Sequence, residues 1–227
     1  MTPAVRPVAL VTTDRKPDLE PTMPDSLLLD QFVPTWDHEI SLSRVFRAPP
    51  AEVLDTITNL DLYRLPLVRV LLEARGLPGR LADAAARHRG ETVVPEPPTF
   101  RVRDLSARGW ILLGERPGIE LVYGAVGKAW QATGGGPETP VTAETFAGFA
   151  EPGFAKIAES TVVTPYGARA CVLTLESRVA LTDEYSRRRF RRYWRAAGPF
   201  IRLMRPTAMR ALERQLGSGR LPQGTRS

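Results

Sequence analysis

Residues 186–204 read SRRRFRRYWRAAGPFIRLM, and how this stretch divides between two faces decides the fold. At about 100° per residue, with Phe190 as the origin, Trp194, Ala197, Ile201, Met204, Ala208 and Leu212 all fall within roughly 40° of it. Tyr193 and Phe200 flank that stripe. Arg188, Arg189, Arg191, Arg192 and Arg195 fall on the far side. The segment is therefore a two-faced helix. Burying one aromatic or large aliphatic side chain contributes about 1.5–3 kcal/mol, whereas an exposed arginine pair contributes a few tenths. The apolar stripe must pack on something, most simply a sheet, and the arginines then face water. Pro199 and Pro206 are expected to kink the helix, since each removes a backbone donor and crowds the preceding turn. It should open at Thr182 as cap, with Asp183 and Glu184 in its first turn, and run to about residue 216.

Working back from this helix, RACVLTLESRVAL and GFAKIAESTVV read as two long strands of a hairpin, with Pro165 and Gly167 at the turn. GIELVYGAVGKAWQAT is expected to form two strands joined at Gly124–Gly127. GWILLGE and FRVRDLS read as strands, and AETFAGFA as a helical turn. Near the other end HEISLSRVF alternates, with Ile40 and Leu42 on one side. PAEVLDTITNL follows, with Val53, Leu54, Ile57 and Leu60 on one helical face. LYRLPLVRVLLEARGLPG reads as a second helix. DSLLLDQF carries a cap at Asp25 or Ser26 and an apolar cluster able to dock on the domain. Strands and helices segregate, which makes the fold α+β. One domain is expected over residues 25–216, with a Pro-rich insertion at 91–99. Residues 1–24, with five prolines, read as a disordered arm, and 217–227 as a flexible tail.

Lys and Arg total 31 against 25 Asp and Glu, a net charge of +6. The six arginines between Arg187 and Arg195 equal that surplus, so the basicity is local. It permits an anionic partner such as a membrane surface without requiring one. Nucleic acid is disfavoured, because no helix-turn-helix pattern, aromatic RNP-like strand or zinc spacing accompanies the arginines. The single cysteine, Cys171, cannot form an internal disulfide, which fits a reducing compartment. No apolar run reaches the roughly 18–20 residues of a membrane span, and PVALVT is too short for a secretory core. A cytoplasmic location is expected.

The stretch ISLSRVFRAPPAEVLDTITNL, a strand that ends in a small-Pro step and feeds a helix, resembles the helix-grip superfamily of START, polyketide-cyclase and birch-pollen-allergen-like proteins (SRPBCC). So does the closing long helix after the last strand. ELVYGAVGKAW, FAGFAEPGFAKIA, LTLESRVALTDEYSRRRFRRYW and PFIRLMR are similar to segments of uncharacterised actinobacterial-type members. The resemblance spans about residues 33–216. It implies a curved antiparallel sheet wrapped around the C-terminal helix, two short helices after the first strand, and an apolar cavity for a lipid or polyketide-like molecule. Phe190, Tyr193, Trp194, Ala197 and Ile201 would form the lid. Leu121, Tyr123, Trp130, Leu173 and Leu175 would line the sheet, or else simply fill a core, since cavities and cores use the same residue types.

Catalytic machinery is sparse. No His, Cys, Asp or Glu cluster has metal spacing, no glycine loop has phosphate-binding context, and no cofactor is implied. Cys171 reads as a small buried hydrophobe. The polar residues of interest are Glu120, Glu159, Glu176 and Arg178, each inside an apolar strand, and Glu151 beside a turn. Glu176 and Arg178 are two apart and share one sheet face. On the concave face they would be a buried pair able to orient a ligand. On the convex face they would be a surface ladder worth under about 1 kcal/mol per pair. Alternation sets them opposite Leu173 and Leu175, which favours the convex face. Three functions remain open: a binder or carrier of a hydrophobic small molecule, a cyclase-like enzyme needing only a shaped cavity and a few acid–base groups, and a protein docking through its arginine face.

Overall fold

The computed structural model describes residues 26–70, 99–131 and 135–218, with Glu73 and His88. The expected arm, most of the Pro-rich insertion and nearly all of the expected tail lie outside these residues. Five antiparallel strands, β1 (His38–Phe46), β2 (Ile111–Arg116), β3 (Glu120–Gly127), β4 (Ala155–Pro165) and β5 (Cys171–Leu181), form one sheet. Its order is β1-β5-β4-β3-β2, so the first strand pairs with the last. Among the described residues the main helices are α1 (Leu28–Phe32), α2 (Pro50–Asn59), α3 (Ala143–Phe146) and α4 (Glu184–Ser218); of the expected second helix, Leu62–Arg64 is a 3-10 turn and residues 66–70 are helical, and most of the rest lies outside the described residues. The fold is thus α+β, with a 35-residue C-terminal helix. Among the described residues no helix is long and apolar enough to cross a membrane.

α4 runs through Pro199 and Pro206 as one helix. Each proline leaves the carbonyl four residues earlier, on Arg195 and Arg202, without its helical donor. Both of those residues are exposed, so water can satisfy them. The N-cap is Asp183, not Thr182: the Asp183 carboxylate accepts from the Ser186 amide at 2.7 Å and from its hydroxyl. Thr182 instead exchanges hydrogen bonds with the Phe154 backbone at 3.0 Å, tying the start of β4 to the end of β5.

Register sorts the strand residues into rows across the sheet. On the α4 side these are His38–Val179–Ile157–Ala125, then Ile40–Ser177–Glu159–Tyr123, then Leu42–Leu175–Thr161–Leu121, then Arg44–Leu173–Val163. The first half of α4 packs Phe190, Tyr193 and Trp194 against Val179, Leu181, Ala155 and Ile157. The second half packs Ala208, Met209, Ala211, Leu212 and Leu216 against Leu173, Val163, Cys171 and the buried face of α2. Val53, Leu54, Ile57 and Leu60 form that face, as their spacing requires.

The opposite side of the sheet carries its own layer. α1 and α3 bury Leu29, Val33 and Phe146 against Leu113, Val122 and Ala158. Two expected elements differ here. The 120–131 segment holds one strand rather than two, because Gly124 lies mid-strand, paired with Ala158. A Cβ there would stand 2.7 Å from Phe146 Cε2 and 2.8 Å from Leu113 Cδ1, so glycine provides close approach and not a turn. FRVRDLS is a 3-10 helix (Val102–Arg108) closed by Gly109 at φ 81°, not a strand. Its Leu105 packs on Leu121 and Tyr123, and a strand would leave that part of β3 uncovered.

Gly124→Ala is expected to cost about 1–3 kcal/mol through overpacking, measured by urea unfolding. An unchanged midpoint would mean that α3 is not seated on β3.

Candidate functional site

Between the two packed ends of α4 lies a different middle. The sheet rows beneath it contain Glu159, Ser177 and Thr161. Above them Ala197, Ile201 and Met204 of α4 are only half-buried, as are Leu42 and Leu175 of the sheet. In this region Arg205 reaches down from α4, and its Nη2 donates to Glu159 Oε2 at 2.9 Å. The Arg205 side chain is only 9% exposed, whereas Glu159 keeps 37% of its side-chain surface accessible. Arg205 Nη1 is buried without a hydrogen-bond partner.

Burial pushes the Glu159 carboxyl above its ordinary range, opposed by Arg205 and by a Ser177 hydroxyl hydrogen bond. Glu159 is thus paired with a buried guanidinium and still accessible over a third of its side chain. The chemical content of this region is one ion pair, two hydroxyl-bearing residues and an apolar surround.

At the start of α4 the aromatic residues close one end. Phe190 and Trp194 stack with centroids 5.3 Å apart. His38 lies 4.9 Å from Phe190 and 5.7 Å from Trp194, and burial holds its imidazole below the ordinary value. Gly198 is needed beside them, since a Cβ there would meet the Trp194 indole at 3.3 Å. Trp130 joins this cluster half-buried.

The sequence candidates therefore separate. Leu121, Tyr123, Leu173 and Leu175 do share the α4 side of the sheet, but they do not line one space. Leu121 and Tyr123 lie under the 3-10 helix, where the Tyr123 hydroxyl donates to the Arg103 carbonyl at 3.3 Å. Leu173 is in the core with α2, and Leu175 borders it. Phe190 is fully buried, so it is a packing residue. Tyr193, Trp194, Ala197 and Ile201 keep accessible surface. Glu151 is an exposed turn residue before β4.

Glu120, Glu176 and Arg178 sit on the opposite side of the sheet, away from α4. They are nevertheless not the surface ladder that alternation suggested. Glu120 is fully buried and accepts from the Leu28 and Leu29 amides at 2.9 and 3.3 Å and from the Ser160 hydroxyl at 3.3 Å. It caps α1 from a neighbouring strand, in place of the cap expected at Asp25 or Ser26. Arg178 donates to Glu176 and Asp30, both at 2.7 Å, and to the Val33 carbonyl at 3.1 Å. Its guanidinium lies 3.9 Å from the Trp36 ring centroid. The N-terminal segment covers the pair, which is why it is buried.

Arg205 was absent from the sequence candidates. The signal was present, because at about 100° per residue it falls roughly 60° from Phe190, beside the apolar stripe. An arginine in that position needs a buried partner.

Elsewhere a cleft of about 500 Å³ opens between Asn59, Asp61, Arg64, Arg101, Arg214 and their neighbours. Its lining mixes charged side chains with Leu60, Leu65 and Ala211. No group of three or more His, Cys, Asp or Glu suited to a metal occurs among the described residues. Cys171 is fully buried, with its thiol pushed up to about 11 by burial, and is unsuited to nucleophilic chemistry. Compared with known protein families, curated proteins and solved structures, the chain matches none.

Arg205→Met removes the charge that favours ionised Glu159, so the Glu159 pKa should rise further. A carboxyl bound more tightly to its proton in the folded state stabilises most below its unfolded value near 4.5. That contribution is lost as pH rises through the folded value. The variant should lose about 1–3 kcal/mol at neutral pH, and adding Glu159→Gln should restore part of it. Urea unfolding across pH measures both, and a pH profile identical to the unmodified protein would contradict the pairing.

Proposed function

We propose that the chain is a helix-grip protein that binds or carries a hydrophobic small molecule in the space between the middle of α4 and the central rows of the sheet. The observation that carries this reading is a Glu159 side chain that stays 37% accessible beneath α4, beside the half-buried Tyr193, Trp194, Ala197 and Ile201. A polar ligand group could hydrogen-bond the accessible part of that carboxyl. The ligand is then largely apolar, matching Tyr193, Trp194, Ile201, Met204 and Leu175. It carries one hydrogen-bonding polar group for Glu159, as a lipid or polyketide-like molecule can. The order of elements supports the helix-grip assignment: the first strand lies beside the last, helices intervene after it, and a long helix closes the sheet. A cytoplasmic setting is part of the same reading, supported by a single cysteine that cannot form an internal disulfide.

A cyclase-like enzyme is the second reading, and one observation favours it. Glu159, with its raised pKa, is poised for proton transfer and faces the same space. It is the one member of the four strand candidates that does, since Glu120, Glu176 and Arg178 serve the opposite face.

Native mass spectrometry of the full chain, purified gently from its own host, followed by solvent extraction, tests the proposal. A stoichiometric apolar ligand is expected, and Arg205→Met should weaken its retention about tenfold or more. An empty protein that also fails to take up Nile red would overturn the reading. Turnover of the extracted molecule, lost in Glu159→Gln, would select the enzyme.

A further inference from the structure

The outer face of α4 carries a feature that the ligand space does not explain. Arg188, Arg189, Arg191, Arg192, Arg195 and Arg202 are all exposed. Few acids answer them. Glu184 is shared between Arg188 at 3.2 Å and Arg191 at 3.4 Å, and Asp37 is taken by Arg187 at 2.9 Å. Arg189 lies 5.3 Å from the Tyr185 ring centroid. Arg192, Arg195 and Arg202 meet no carboxylate among the described residues.

The same surface also exposes Tyr185 at 52%, Phe200 at 53% and Leu203 at 45%. With Arg192 as origin, Tyr185, Arg188, Arg195, Pro199 and Leu203 fall within roughly 60°, and Phe200 and Arg202 stand about 80° to either side. Cations and large apolar side chains therefore occupy one stripe rather than separate faces. Leu203 and Phe200 take no part in any core cluster.

This mixture identifies the partner by its chemistry. Unpaired guanidinium groups gain from anions, while exposed Phe and Leu gain from hydrocarbon. An anionic bilayer surface offers both to a helix lying parallel to it, headgroup phosphates for the arginines and acyl chains for the apolar side chains. A nucleic-acid backbone would answer the arginines but leave Leu203 in water. We propose that this face of α4, centred on Arg192, Arg195, Phe200, Arg202 and Leu203, docks on anionic lipid membranes. The proposal is independent of the ligand space beneath the helix.

Vesicle co-sedimentation of the full chain tests it, with phosphatidylcholine vesicles made with and without phosphatidylglycerol. Binding is expected only to the anionic vesicles, and it should weaken as salt is raised. The triple variant R192Q/R195Q/R202Q should bind about a hundredfold more weakly. The double variant F200S/L203S should bind about tenfold more weakly or worse, both with unchanged circular dichroism. Equal binding to neutral vesicles, no binding to either kind at low salt, or an undiminished triple variant would overturn the proposal. So would a double variant that binds undiminished while duplex DNA displaces the protein, which would assign the arginines to polyanions instead.

Discussion

One helix must bury a single apolar stripe along a sheet whose central row is polar, and the rest of the structure follows from that constraint. Over the outer rows α4 meets Val179, Leu181, Leu173 and Val163, and it packs. Over the row that holds Ser177 and Glu159, apolar side chains would gain nothing by closing down, because desolvating the carboxylate further costs more than their contact returns. Arg205 is the side chain that reaches this row without that penalty, since its charge offsets the one below. The helix is thus fixed at both ends and pinned in its middle by a single ion pair.

The opposite face obeys the same rule with a different answer. Glu120 and Arg178 also interrupt apolar strands, but there the chain supplies partners in full. α1 brings two backbone amides to Glu120 and Asp30 to Arg178, and the chain just after it adds Val33 and Trp36. Glu120 also pairs with Arg116 at 3.4 Å, and the pair Glu176–Arg178 lies beneath the N-terminal segment. These charges fasten the segment preceding β1 to the sheet. Arg205 differs in that its partner Glu159 stays partly accessible, and that asymmetry makes its surroundings the candidate site.

Much of this architecture was legible in the sequence. The alternation of HEISLSRVF fixed β1 at its observed bounds, the hairpin and α2 fell where expected, and the two-faced reading of α4 holds from Phe190 to Leu212. What failed shares a cause. FRVRDLS has strand-like residues, yet covering Leu121 and Tyr123 required a 3-10 turn, a tertiary demand that overrides local propensity. Gly124 looked like a break because a glycine that makes room for Phe146 cannot be told from one that turns the chain. The polar strand residues were found, but their roles depended on which segment covers each face. Alternation named the faces correctly without revealing that α1 lies over one of them. Arg205 was hidden for the opposite reason, because a basic residue near an arginine-rich face reads as one more solvated charge.

The reading of this region depends on the accessible part of Glu159 being a binding surface beneath α4. A crystal structure resolved well enough to show ordered water and bound molecules tests that directly. Density for a bound molecule is expected within about 3 Å of the Glu159 carboxyl, continuous toward Ile201 and Trp194. Ile201, Met204 and Leu175 closed over Glu159, with nothing bound between them, would contradict it.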